Sequence, residues 1–177
     1  MHDPALSTAQ HRELIEALAL SHVLPHDTLP VEECLGRRLS VDVFSLIPLP
    51  PFTNSAMDGF AVRREDLEGE GPWTLPVAGD IPAGDTRDNR LEKGQAWRIM
   101  TGAPIPQGAD TVVKVEHTDH AAGVAQAPAT VEIRVAPKLG ENVRVAGEAL
   151  EAGAPVLKAG RILDGTALSA AASVGHG

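Results

Sequence analysis

The sequence is poor in aromatic residues, which make up 3% of its 177 residues, and it has no tyrosine. Any core must therefore be built mainly from valine, leucine, isoleucine and alanine. The one cysteine, Cys34, has no partner for an internal disulfide, and we interpret it as a small apolar residue. No apolar run approaches the length needed to span a bilayer, and the N-terminus lacks the features of a signal peptide. These absences favour a cytoplasmic protein.

Positive charge is also scarce, because 15 Lys and Arg stand against 24 Asp and Glu, a formal net charge of −9. Such a surface repels phosphate backbones and anionic lipid, so we expect no nucleic-acid and no membrane partner. Apolar residues at 43% and charged residues at 22% are typical of a soluble globular protein. The length allows one domain or two small ones.

Helix signals lie near both ends of the chain. Ser7 and Gln10 form a capping-box pattern, and the spacing of the following apolar residues predicts a helix over about 8–20. A short helical turn is expected over 31–35, where a glycine follows. A second helix is predicted to begin at about 166 and to run to 172.

Short apolar runs separated by Gly, Pro and Asp fill the middle of the chain. In the clearest run, Val131, Ile133 and Val135 alternate with charged residues, which is typical of a half-buried strand. We expect strands or extended segments in several such runs: 41–46, 73–78, 96–100, 111–115, 129–135 and, as strand–turn–strand, 151–163. They predict a compact β-rich unit between about 49 and 143.

The stretch PPFTNSAMDGFAV, residues 50–62, predicts a rigid turn that presents a carboxylate and a hydroxyl. Proline restricts its own φ and the residue before it, and Gly59 is able to adopt positive φ. Asp58 and Ser55 are the candidate functional side chains. The alternative is an Asx-type turn in which Asp58 caps its own backbone.

The stretch RIMTGAPIPQGAD, residues 98–110, predicts a strand that ends in a stiff loop. Gly102 allows a ligand to approach the backbone closely, and Thr101 places a hydroxyl beside it. The alternative is a strand-end turn that binds nothing. The pattern is not a phosphate-binding P-loop.

The stretch EHTDH, residues 116–120, has the residue types of a metal site. On a strand, however, His117 and Asp119 would face one way while Glu116 and His120 face the other, so the four would not converge. No CxxC or HExxH pattern supplies further ligands. We interpret this stretch as a solvated loop tip.

The stretch NVRVAGEAL, residues 142–150, contains Arg144 and Glu148. One interpretation is that Arg144 faces an anionic ligand and Glu148 a cation. The alternative is a solvated charge pair where the chain crosses between domains.

In this order, four stretches resemble the molybdopterin molybdotransferase family, which includes bacterial MoeA and the E domain of gephyrin. They are PPFTNSAMDGFAV, DIPAGD (80–85), RIMTGAPIPQGADTVVKVE (98–116) and ENVRVAGEAL (141–150). The resemblance covers essentially the whole chain.

The resemblance implies an enzyme that inserts molybdate into adenylylated molybdopterin, releases AMP and uses a divalent cation such as Mg²⁺. Asp58 occupies the place of an active-site aspartate of the family, and Thr101 that of a motif threonine. The implied roles are catalysis for these two residues, substrate binding for Ser55, Gly102 and Arg144, and metal binding for Asp58 and Glu148. An aspartate on a stiff turn suits Mg²⁺ beside an adenylyl phosphate.

Two departures from the family pattern bear on activity. Members commonly read Gly-Glu-Asp where this chain has Gly147-Glu148-Ala149, and alanine cannot replace that carboxylate. Family enzymes are also much longer and continue into a pterin-binding α/β domain. We therefore expect an N-terminal fragment or a short paralogue that is inactive alone. The alternative is a non-catalytic dimerisation or binding module, or a degenerate paralogue of the same fold.

The fold implied by the resemblance is α+β and mostly β, an elongated two-domain fragment. A compact β-rich second domain, 49–146, is inserted into a discontinuous first domain, 27–48 and 147–177. The N-terminal helix, within 1–26, would pack against the absent domain. The family forms a homodimer with its active site between subunits, so Asp58 and Thr101 would serve a pocket completed by another chain. A protein that donates adenylylated molybdopterin is a further expected partner.

Overall fold

The structure is a computed structural model that describes residues 6–22, 25–121, 123 and 126–177. Helix α1 spans Thr8–Ser21. The Ser7 hydroxyl accepts a hydrogen bond from the Gln10 amide, and the Gln10 side chain accepts one from the Ser7 amide. The helix predicted over 8–20 and its capping box are therefore confirmed.

The apolar face of α1 lies open on the surface. No residue of this helix is buried. The exposed fractions of Leu14, Ile15 and Leu18 are 49%, 54% and 62%. In the part of the chain that the structure describes, no helix has the length and apolar character required to cross a bilayer.

The described residues form nine strands, and five of them make one sheet. In chain order they are β1 (Val43–Phe44), β2 (Asn54–Ser55), β3 (Gly59–Val62), β4 (Trp73–Ile81), β5 (Ala96–Ile99), β6 (Thr111–Lys114), β7 (Thr130–Ile133), β8 (Val143–Arg144) and β9 (Pro155–Leu157). The sheet order is β6-β3-β5-β4-β7. Its neighbours are antiparallel except for β4 and β5, which are parallel.

Strand β3 is buried on both faces of this sheet. Phe60 and Val62 belong to one apolar cluster with Val113 and Ile133, whereas Ala61 belongs to a second cluster on the other face. Successive side chains of a strand point to opposite faces, so a strand with two covered faces has an unbroken apolar sequence. That is why the run Gly59–Val62 does not alternate with polar residues.

Strand β4 is longer than the predicted run at 73–78, because it continues alongside β5. Asp80 pairs with Arg98 and Ile81 pairs with Ile99. Gly79 permits the close packing here, since a Cβ at this position would lie 2.6 Å from the Trp97 ring. The extension brings the DIPAGD and RIMTGAP stretches side by side.

A second structural unit combines segments that lie far apart in the chain. Strand β1 pairs with β9, and helix α2 (Gly165–Ser173) packs its Ala167 and Ala171 into a cluster with Leu157 and Leu163. Cys34 is partly buried and packs against the same cluster, as its interpretation as an apolar residue requires. The second helix is thereby confirmed. The boundaries predicted for the discontinuous first domain stay a prediction.

The predicted fold class, α+β and mostly β, is confirmed. The interpretation of the stretch EHTDH as a solvated loop tip is wrong in part. Residues Val115–His117 form a 3₁₀ turn, and Thr118 is buried. His120 packs its ring against Phe60 at a centroid distance of 5.9 Å and contacts the Thr130 carbonyl at 3.0 Å. The end of the stretch is therefore attached to the sheet.

Candidate active site

Asp58 lies exposed at the end of the turn that leads into β3. Its Oδ1 accepts two hydrogen bonds from Thr101, one from the backbone N–H and one from the side-chain hydroxyl, both 2.7 Å long. The Asx-type alternative is therefore wrong, because the partner of Asp58 lies 43 residues along the chain. Among the described residues, no hydrogen bond is donated to Oδ2 of Asp58.

The pKa of Asp58 is held below its ordinary value. The main cause is the hydrogen bond from the Thr101 amide, followed by the bond from its hydroxyl, and the positive charge of Arg98 acts in the same direction. Hydrogen bonds to an ionised carboxylate favour the charged form. Asp58 is therefore an exposed anion with a fixed orientation at neutral pH.

Thr101 reaches Asp58 because the loop after β5 folds back onto the turn. Gly102 has a φ of +80°, and its N–H donates to the Ser55 carbonyl at 2.8 Å. The Ser55 N–H in turn donates to the Ala103 carbonyl at 3.0 Å. Positive φ favours glycine, so Gly102 is required by the turn, and its N–H is already used within the chain.

Strand pairing attaches Arg144 to the segment that leads into the Asp58 turn. It lies opposite Asn54 in the β2–β8 ladder, and its side chain is exposed. The Ala146 N–H donates to the Thr53 hydroxyl at 3.2 Å, which attaches the following loop to the turn that carries Asp58. Arg144 forms no ion pair with any residue in the described ranges.

Glu148 and Ala149 lie in that following loop, and both are exposed. Oε2 of Glu148 accepts a hydrogen bond from the Val145 N–H at 3.0 Å, so Oε1 is the oxygen left for a cation. Groups of three or more potential ligand side chains (His, Cys, Asp or Glu) suited to a metal do not occur within the described part of the chain. A cation held here would take few protein ligands, which suits Mg²⁺ with its bound waters.

Ser55 does not present its hydroxyl as expected. The residue is fully buried, and its hydroxyl donates to the Met57 carbonyl at 2.6 Å and accepts from the Met57 N–H. The side chain stabilises the bend that carries Asp58. Contact between the Ser55 hydroxyl and a substrate is therefore not supported by this geometry.

Arg98 lies beside Asp58, although it was not among the residues predicted from the sequence. Its side chain is 10% exposed, and its Nε lies 3.7 Å from Oδ1 of Asp80, which is 37% exposed at its side chain. Arg98 also lines a small pocket with Asp58, Met100 and His120. The signal available in the sequence was the presence of Asp80 and Arg98 in two stretches that resemble the family.

The turn before β3 and the loop after β5 thus bring the Asp58 carboxylate and the Thr101 hydroxyl together, and the pairing of β2 with β8 attaches Arg144 to the segment that leads into this turn. Comparison with known proteins identifies the class. The chain belongs to the MoeA_N family, the MoeA N-terminal region (domain I and II), which it matches over residues 6–175.

Individual relatives agree with this assignment. The chain is 44% identical over 151 residues to molybdopterin molybdenumtransferase 2 of Mycobacterium tuberculosis, covering 84% of this chain and 36% of the relative. It is 36% identical over 176 residues to molybdopterin molybdenumtransferase of Synechococcus elongatus, covering 97% of this chain and 42% of the relative. The chain therefore spans less than half the length of these relatives.

A solved structure supports the fold. The molybdopterin biosynthesis MoeA protein of Pyrococcus horikoshii superposes with a TM-score of 0.80 at 30% sequence identity. The match covers 93% of this chain and 41% of that chain.

Proposed function

We propose that this chain supplies the Asp58 side of the active site of a molybdopterin molybdenumtransferase, in which molybdate is inserted into adenylylated molybdopterin and AMP is released. The observation that carries the proposal is the exposed, ionised Asp58, whose orientation is set by two hydrogen bonds from Thr101. Family membership and the names of the relatives support the reaction class.

The proposed substrates are anionic, and the charges of the site suit them. Asp58 and Glu148 would hold Mg²⁺ or its waters. The cation, when bound, would offset the negative charge of the adenylyl phosphates. Arg144 would contact an anionic group of the substrate, because an unpaired guanidinium is a strong hydrogen-bond donor to oxyanions.

A second subunit would complete the pocket in this proposal. Three exposed apolar residues flank the site, namely Phe52, Met57 and Val145, at 46%, 37% and 57% exposure. Exposed aromatic and methionine side chains are enriched at the centre of protein–protein interfaces, where a polar rim surrounds them. We propose a homodimer, with transfer of the substrate from a donor protein, and no turnover by these 177 residues alone.

The test is molybdate-dependent release of AMP from adenylylated molybdopterin by the full-length product of the gene. Asp58→Ala is expected to lower the rate at least about 100-fold, because it removes the positioned charge, and Thr101→Val about tenfold, because it removes a hydrogen bond that orients that charge. Asp27→Ala is the matched control, an exposed aspartate away from the site, and should leave the rate unchanged. A normal rate in Asp58→Ala would refute the site assignment, and no turnover by the unaltered full-length protein would refute the function.

A non-catalytic module of the same fold is the second candidate, and Ala149 is the observation that favours it. Its methyl group is exposed and provides no ligand, while its N–H donates to the Leu49 carbonyl at 3.0 Å. Ala149→Asp should therefore be accepted by the fold. The measurements are binding of Mn²⁺, as a probe of the cation site, and release of AMP by the full-length protein. If Ala149→Asp shows both and the unaltered protein shows neither, the chain is a degenerate paralogue.

A further inference from the structure

Asn142 has an unusual backbone conformation for its residue type. Its φ is +59°, and it is the single non-glycine residue with positive φ in the described ranges. This conformation is unfavourable for residues with a Cβ, although asparagine tolerates it better than most. Glycine would adopt it more easily, so an asparagine at this position directs attention to the contacts of its side chain.

That contribution is a hydrogen bond to the edge of the five-stranded sheet. The Asn142 side-chain Nδ2 donates to the Val112 carbonyl at 2.9 Å. The Val112 N–H donates to the Glu141 carbonyl at 3.0 Å. Strand β6 is an edge strand, and these bonds satisfy the backbone N–H and carbonyl of its Val112. The side-chain amide takes the place of a backbone N–H in the ladder.

The backbone of Asn142 contacts the turn that carries Asp58. Its carbonyl accepts a hydrogen bond from the Ala56 N–H at 2.9 Å, two residues before Asp58. Directly after Asn142 the chain enters β8, which pairs with β2 and places Arg144 opposite Asn54. The positive φ is where the chain leaves the sheet edge and turns into this second ladder.

We propose that Asn142 is a positioning residue, whose side-chain bond to Val112 holds the Asp58 turn and Arg144 in a fixed relation to the sheet. It acts through these residues and does not itself contact a substrate. The inference rests on the proposed function only in identifying Asp58 and Arg144 as site residues.

Amide hydrogen exchange, measured by NMR on the unliganded 177-residue chain, tests this inference. Asn142→Gly keeps the positive φ and removes the Nδ2 donor, and Asn142→Asp replaces the donor with an acceptor. In both variants the Ala56 amide should exchange about tenfold faster, because it loses a fixed partner. The Val77 amide, bonded to the Ala129 carbonyl at 3.0 Å, reports opening of the β4 side of the sheet and should change less than about twofold.

A control variant removes an asparagine donor elsewhere. Asn89→Gly deletes a side-chain bond to Asp85 and should leave the Ala56 exchange rate unchanged. The inference is overturned if Ala56 exchanges at the unaltered rate in both Asn142 variants, or if Val77 accelerates by the same factor as Ala56. Neither result depends on substrate turnover, so failure of this inference is distinct from failure of the proposed function.

Discussion

The link between Asp58 and Thr101 makes a quantitative prediction about stability. Asp58→Ala removes two hydrogen bonds of 2.7 Å to a carboxylate, whereas Thr101→Val removes the hydroxyl bond and keeps the backbone N–H. Hydrogen bonds to charged groups contribute about 1.5–3 kcal/mol when they are buried, and solvent exposure reduces this toward about 1 kcal/mol each. We expect the free energy of unfolding to fall by about 2 kcal/mol in Asp58→Ala and about 1 kcal/mol in Thr101→Val.

The double mutant distinguishes this link from independent effects. Because the hydroxyl bond is lost in either single variant, the double variant should lose about 2 kcal/mol, a coupling of about 1 kcal/mol. Urea unfolding followed by tryptophan fluorescence measures these values. Thr28→Val is the matched control, since Thr28 is exposed and its hydroxyl makes no hydrogen bond to any described residue; its cycle with Asp58→Ala should be additive. Additivity within about 0.3 kcal/mol in the Asp58–Thr101 cycle would refute the reasoning.

Three further predictions address pH and packing. The pKa of Asp58 is lower in the folded state than in the unfolded state. The stability difference between the unaltered chain and Asp58→Ala should therefore be fully present above about pH 4 and should disappear as pH falls through the folded pKa. Urea unfolding at several pH values measures this difference. Gly59→Ala should lower the free energy of unfolding by at least about 3 kcal/mol or prevent folding, because its Cβ would lie 2.0 Å from the Val113 carbonyl oxygen. Gly165→Ala is the control, because the space around it is open, and it should leave the thermal stability unchanged or raise it. Ser55→Ala should cost about 1–2 kcal/mol in urea unfolding, and a fully stable variant would contradict its structural role.

Elements with a local signal were predictable from the sequence. The capping box of α1, the loop that follows β5 and the alternation of Val131 with Ile133 in β7 each depend on residues a few positions apart. The rigid turn at Asp58 was predictable for the same reason, since each proline restricts its own φ and the residue before it.

The direction and burial of individual side chains were less predictable. Ser55 was expected to present its hydroxyl, but the residue is fully buried and its hydroxyl is bonded to the Met57 backbone. Similarly, His120 was expected in solvent, and Phe60 holds it against the sheet. Burial also depends on what packs above a residue, and the residue's near neighbours specify that only in part.

The sequence by itself determined the family, the run of short strands and the turns that interrupt them, because turn and capping preferences act over a few residues. Only the tertiary structure decided which groups meet at the site. The strand order β6-β3-β5 brings Asp58 to Thr101, and the continuation of β4 along β5 brings Asp80 to Arg98. These pairs depend on the register and order of strands far apart in the chain, which are set by burial of the sheet as a whole.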